Sequence, residues 1–163
     1  MKNIILIGGS GFIGSRLMSR LRTNGFLNSK IIDKVPSKVF PKFTELCDVR
    51  LLDRLKKAIP DGSVIVNLAA EHRDDVLPLS LYDEVNVTGA KNICTVAREK
   101  GAQTIIFTST VAVYGFAFLG TNESGAIAPL MTMVALSGRQ NKFINNGNLK
   151  TQRIVLLLLC VQQ

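Results

Sequence analysis

The sequence is poor in several residue types from which sites are commonly built. It has one histidine, three cysteines and no tyrosine after Tyr114. Cys47, Cys94 and Cys160 are odd in number and lack metal-ligand spacing, which argues against a disulfide framework or a metal site and for reduced thiols in a cytoplasmic protein. His72 has no nucleophile paired with it, so a substrate-edge or solvated role is favoured over triad chemistry. The longest late apolar run, Ile154 to Val161, is too short to cross a bilayer, and no membrane partner is expected. Met1-Lys2-Asn3 runs straight into an apolar segment, with no visible signal peptide. After Pro129 acidic residues are missing altogether, whereas Arg139, Lys142, Lys150 and Arg153 are basic. Half of the net charge of +8 therefore comes from this last stretch. The remainder forms no basic helix or aromatic-interleaved patch, which argues against a nucleic-acid partner.

What is present begins with a glycine turn. Ile4-Ile5-Leu6-Ile7 is an apolar run, Gly8-Gly9-Ser10-Gly11-Phe12-Ile13-Gly14 follows it, and an amphipathic segment comes next. The order reads as strand, turn, helix. The spacing of Gly8, Gly11 and Gly14 is G-x-x-G-x-x-G rather than the usual G-x-G-x-x-G, but the three physical tasks are the same. Gly8 allows the tight turn, Gly11 lets backbone N–H groups approach a pyrophosphate, and Gly14 lets the helix lie close to the sheet. The unpaired amides of the first helical turn would meet the anion.

The pattern predicts a helix from about Gly11 to Asn24, with Ile13, Leu17 and Leu21 on one face. A second strand, Lys30-Ile31-Ile32, ends at Asp33, about 20 residues beyond the turn, where a dinucleotide fold places a carboxylate against the adenosine ribose. Its charge favours NAD over NADP, and Lys34 beside it weakens that exclusion. A short strand, Phe43 to Cys47, leads to Asp48-Val49-Arg50. There Asp48 either accepts from an adenine amino group or caps the helix Leu51 to Ala58. Ser63 to Leu68 is a continuous apolar strand ending in Ala69-Ala70, whose small side chains leave room for a cofactor. The charged segment from Glu71 to Asp75 reads as a loop. A long helix is expected over Leu81 to Lys100, with Val85, Thr88, Ile93 and Val96 among its inward positions. Thr104 to Thr108 is a fifth strand delivering Ser109-Thr110 and then Val113-Tyr114-Gly115. Strand and helix alternate throughout, so the expected class is α/β, a Rossmann-like, doubly wound parallel sheet, incomplete at its C-terminal side.

These pieces together resemble the extended short-chain dehydrogenase/reductase family, in particular its NAD-dependent epimerase/dehydratases acting on nucleotide sugars. The matching elements are the glycine turn, Asp33, Asp48-Val49-Arg50, Asn67-Leu68-Ala69-Ala70, Tyr82 through Asn86 to Gly89, and Thr108-Ser109-Thr110 leading to Tyr114-Gly115. The resemblance implies an NAD site built from Gly8, Ser10, Gly11, Phe12, Ile13, Gly14, Asp33, Asp48, Val49, Leu68, Ala69, Ala70, Asn86 and Thr108. No metal is implied. It implies that Thr110 occupies the catalytic Ser/Thr position and that homodimers form partly through the Leu81 to Lys100 helix. It also implies a tyrosine that removes the sugar hydroxyl proton and a lysine four residues later that lowers that tyrosine's pKa, because an ordinary tyrosine titrates near about 10.

That pair is missing: position 118, four residues after Tyr114, is Phe118. The resemblance divides the chain into an NAD-binding domain over residues 1–129 and an atypical tail over 130–163, with the family's substrate domain absent. A frameshift would account for the break. Read from the third base of the Pro129 codon, the codons for Leu130 to Asn141 permit Phe-Asn-Asp-Tyr-Gly-Arg-Thr-Lys-Arg-Gln-Ala-Glu, which contains the missing Tyr-x-x-x-Lys. The competing account is a divergent natural tail with one helix near Gly138 to Asn145 and one strand at Ile154 to Val161.

Overall fold

The computed structural model describes residues 2–73, 75–110 and 153–159, the last segment and residues 109–110 through their backbone alone. Six parallel strands form one sheet: β1 (Ile4–Ile7), β2 (Ser29–Asp33), β3 (Thr44–Leu46), β4 (Val64–Asn67), β5 (Thr104–Thr110) and β6 (Arg153–Leu159). Their order is β3-β2-β1-β4-β5-β6. The chain moves outward from β1 on one side, then returns to lay β4 on the other, so the winding reverses between β1 and β4. Ligands of open α/β sheets bind at this reversal, outside the carboxyl ends of the strands.

The two faces of the sheet are covered by different helices. Leu6, Ile31 and Val66 point to one face, where α1 (Phe12–Thr23) seals them with Met18. Ile5, Ile7, Ile32, Ile65, Ile105 and Phe107 point to the other, against α2 (Leu52–Ala58) and α4 (Gly89–Glu99). Alternation of the strand residues between two covered faces explains the unbroken apolar runs of the central strands, Ile4–Ile7 in β1 and residues 64–66 in β4.

The helix expected over Leu81 to Lys100 is present as three consecutive parts: α3 (Ser80–Tyr82), a π-helical segment (Asp83–Thr88) and α4. The wider π turns shift the inward face by comparison with a regular helix. Thr88, expected inward, is exposed, while Val87 takes an inward place with Val76 and Tyr82. Val85, Ile93 and Val96 are buried as expected. In α1, Ile13 is 42% exposed and Met18 is fully buried, so the anchor of that helix lies one position beyond the expected Leu17. Ile13 stands at the helix start beside the glycine turn, outside the reach of the sheet.

The sheet continues past β5. The strand that the divergent-tail account expects at Ile154 to Val161 is described over Arg153–Leu159 as β6, in register with β5 from Thr104↔Arg153 to Thr110↔Leu159. The helix considered near Gly138 to Asn145 lies outside the described residues, as do Tyr114 and Cys160. Cys47 and Cys94 are free and buried. Burial raises both thiols, Cys94 to about 11, which makes them unreactive.

Candidate dinucleotide site

The turn after β1 is held against the end of β4. Gly8 donates from its N–H to the Ile32 carbonyl at 2.8 Å, and Leu68 donates to the Ile7 carbonyl at 2.8 Å. Gly8 has φ +73°, and a Cβ placed on it would lie 2.5 Å from the Ala69 nitrogen. A Cβ on Gly14 would lie 2.4 Å from the Cα of Gly9. Both glycines are therefore required by backbone packing. Gly11 differs: a Cβ there meets nothing within 4 Å. It opens α1 as the N-cap, with no side chain capping the helix and no acidic residue in the first turn. The first-turn amides have no partner within a helix, and their partial positive charge faces open space. Arg16 adds a cation, lying over the Phe12 ring at 4.2 Å.

Asp33 ends β2 beside this turn. Its Oδ2 accepts from the Ser10 N–H at 2.9 Å and its Oδ1 from the Val35 N–H at 3.2 Å. The Ser10 hydroxyl donates to the Val35 carbonyl at 2.8 Å, closing the tie between the two loops. These bonds fix the carboxylate while leaving acceptor capacity on both oxygens.

Asp48 lies after β3, and Arg50 holds it through four hydrogen bonds. The Arg50 N–H and Nε reach Oδ1 at 2.9 and 3.1 Å, and Nε and Nη2 reach Oδ2 at 3.2 and 2.8 Å. Arg50 Nη1 continues to Glu84 at 3.0 Å. The Asp48 carboxylate thus turns to Arg50, not to the amides of α2. The turn itself is seated on α4: Val49 is buried, Asn92 donates to the Val49 carbonyl at 3.0 Å, and a Cβ on Gly89 would lie 2.7 Å from a Val49 methyl.

Hydrogen bonds from Arg50 hold the Asp48 carboxyl below its ordinary range, against burial, which acts in the other direction. The folded pKa is thus below the unfolded one, near about 3.9. The pair's stabilisation is present above that unfolded value and is lost as pH falls through the folded value. In the Arg50→Ala variant, the Asp48 titration midpoint is expected to rise, as read from side-chain carboxyl NMR signals. An unchanged midpoint would contradict the pairing.

At the end of β4, the Asn67 side chain accepts from the Ala69 N–H at 3.1 Å, and the Thr108 hydroxyl of β5 donates to the Asn67 carbonyl at 3.2 Å. Leu68 and Ala69 are half-buried and Ala70 is exposed. Asn86 does not face the crevice with free polar atoms. It is buried, its Oδ1 accepting from the Glu71 N–H at 2.8 Å and its Nδ2 donating to the Glu71 carbonyl at 3.0 Å. The Tyr82 hydroxyl donates to the Arg73 carbonyl. The charged loop expected here is present and is pinned to the helical layer, with Glu71 buried and His72 and Arg73 left to solvent. Thr110 ends β5 at the same edge of the sheet.

The glycine turn, Asp33 and residues 68–70 lie on the carboxyl edge around the β1/β4 reversal, Asp48 follows β3 two strands out along that edge, Val49 is buried against Gly89, and Asn86 stands behind as a support. The residues that sequence reasoning missed are Glu71, Asn92 and the supporting role of Arg50. Nothing in the local pattern distinguishes a buried glutamate from its exposed charged neighbours.

The model of the NAD dependent epimerase/dehydratase family matches residues 4–132. An N-acetyl-alpha-D-glucosaminyl-diphospho-ditrans,octacis-undecaprenol 4-epimerase of Escherichia coli O157:H7 is 46% identical over 113 residues, covering 69% of this chain and 34% of that protein. A UDP-glucose 4-epimerase of Vibrio cholerae is 29% identical, covering 70% of this chain and 36% of the relative. This chain therefore spans about a third of the length of these curated relatives. The crystal structure of UDP-glucose 4-epimerase from Brucella ovis in complex with NAD superimposes with a TM-score of 0.84 at 23% identity, covering 97% of this chain and 51% of that one. That likeness establishes the fold. The family match begins in β1 and takes in the glycine turn, the carboxyl edge and all of β5, and by it the chain belongs to the NAD dependent epimerase/dehydratase family.

Proposed function

We propose that this chain binds NAD across the β1/β4 reversal, as the coenzyme-binding part of an epimerase/dehydratase acting on a sugar diphosphate, and that its 163 residues do not complete a turnover by themselves. The observation that carries the binding reading is the contrast among the glycines: Gly8 and Gly14 are packed against backbone, and Gly11 faces open space at an uncapped helix start. A bound pyrophosphate gives the third glycine a reason that packing does not.

In this reading the amides from Gly11 to Gly14 receive the pyrophosphate, aided by Arg16, while the Ser10 amide stays on Asp33. Asp33 accepts from the adenosine ribose hydroxyls through its remaining lone pairs, and Asp48 accepts from the adenine amino group in exchange for one of its Arg50 hydrogen bonds. Leu68, Ala69 and Ala70 form the wall along which the cofactor passes, and Thr108 fixes the wall to β5. Bound NAD would accept a hydride from a sugar carbon and return it. Thr110 would orient the sugar hydroxyl, but a threonine hydroxyl is too weak a base to remove its proton. Neither tyrosine is followed four residues later by lysine, since those positions hold Asn86 and Phe118. This absence also favours a second reading, a dinucleotide-binding sensor or regulatory module without catalysis.

Titration calorimetry with NAD tests the binding reading, and saturable binding is expected. Incubation with NAD and either UDP-N-acetylglucosamine or a polyprenyl-diphospho-N-acetylglucosamine tests turnover, with no epimer expected from either. Epimer formation would overturn the inactive reading, and the carrier accepted would identify the substrate class. Family-like dimerisation through α3 and α4 would be detected by analytical ultracentrifugation. Sequencing the gene from the Asn122 codon past its stop decides the frameshift: an open alternative frame encoding Tyr-x-x-x-Lys supports it, and incompatible codons make the tail genuine.

A further inference from the structure

Lys34 immediately follows Asp33, the carboxylate assigned to the ribose, which makes it a candidate cation for a phosphate on the 2′ position. Its ammonium is committed elsewhere: Lys34 Nζ lies 3.5 Å from Glu71 Oε2, across the end of β1 from its own loop. The Glu71 side chain is only 8% exposed, against 56% for Lys34, so the buried carboxylate is the fixed partner. Its position is set from behind by the two bonds from Asn86 to the Glu71 backbone. Arg73 Nε stands 3.7 Å from the other carboxylate oxygen, on the solvent side. Asp33 is fixed just as firmly by the Ser10 and Val35 amides.

Resting on the dinucleotide reading above, we propose that Glu71 is a positioning residue that enforces preference for NAD over its 2′-phosphorylated counterpart by holding the Lys34 ammonium away from the ribose side of Asp33. With Lys34 held, a 2′-phosphate meets the Asp33 carboxylate without a neutralising cation. Releasing Lys34 supplies that cation. The effect acts through Lys34, so it is distinct from the simple loss of one negative charge at Glu71.

The test measures NAD and NADP dissociation constants by calorimetry for the full chain and for Glu71→Gln, Lys34→Met and the double variant. The wild type is expected to favour NAD. In Glu71→Gln, NADP binding tightens about fivefold relative to NAD, the upper end for a half-exposed ion pair. The double variant loses that gain. Equal changes for both dinucleotides in Glu71→Gln, or a gain that persists in the double variant, would overturn the proposal. Circular dichroism checks that Glu71→Gln folds. If it does not, Lys34→Met decides: a held ammonium predicts NADP affinity within about twofold of wild type, whereas a fivefold loss would mean that Lys34 already serves the phosphate. A wild-type chain that binds neither dinucleotide overturns the binding reading itself, and this inference with it.

Discussion

Replacing Gly8 by alanine is expected to destabilise the fold by roughly 3 kcal/mol or more, whereas replacing Gly11 by valine leaves the fold intact and removes dinucleotide binding. Gly8 combines two obstacles to a side chain. Its φ of +73° is unfavourable for an L-residue, and its added Cβ would lie 2.5 Å from the Ala69 backbone nitrogen, which cannot swing away as a side-chain tip could. The β1 turn and the β4 end would have to part, opening the centre of the sheet. At Gly11 the φ of −76° suits any residue, and the space beside it is open. Valine there would fill the volume assigned to the pyrophosphate. Urea unfolding of both variants, together with NAD titration of Gly11→Val, separates the two roles. If the Gly11 variant binds NAD as the wild type does, the pyrophosphate lies elsewhere.

Asn86→Leu is expected to cost roughly 3 kcal/mol, because two buried backbone groups of Glu71 lose their partners at once. The substitution also leaves the amide volume filled by apolar atoms that cannot replace either bond. Urea unfolding should show the lowered midpoint, and the Glu71 amide should exchange with solvent far faster than in the wild type. A change below about 0.5 kcal/mol would show that the β4 loop does not depend on the helix for its position. Since Asn86 sits in the π-helical segment, the same variant tests what that widened turn contributes to the site.

Much of the framework was legible because it rests on local chemistry. Apolar runs gave the strands, and glycine spacing marked the turn from β1 into α1. Asp33 was recognisable by its distance from that turn. The π-helical segment was not, since its apolar positions satisfy a regular helical period closely enough; the exposed Thr88 is the visible consequence. The burial of Glu71 was illegible for a different reason. Its burial arises from Asn86, 15 residues later, and from Tyr82 holding Arg73, and such long-range contacts leave no mark on the charged segment itself. The distinction among the three glycines was likewise hidden, because their separate roles depend on whether Ala69, Gly9 or open space lies opposite.

The central claim is that NAD occupies the carboxyl edge where β1 and β4 part. An NMR titration of the isotope-labelled chain with NAD tests it most directly. Saturable shifts concentrated at the amides of Ser10 to Gly14, Asp33 and Ala69 to Glu71 are the predicted result. Saturable shifts centred away from these loops, or none at all, would contradict it.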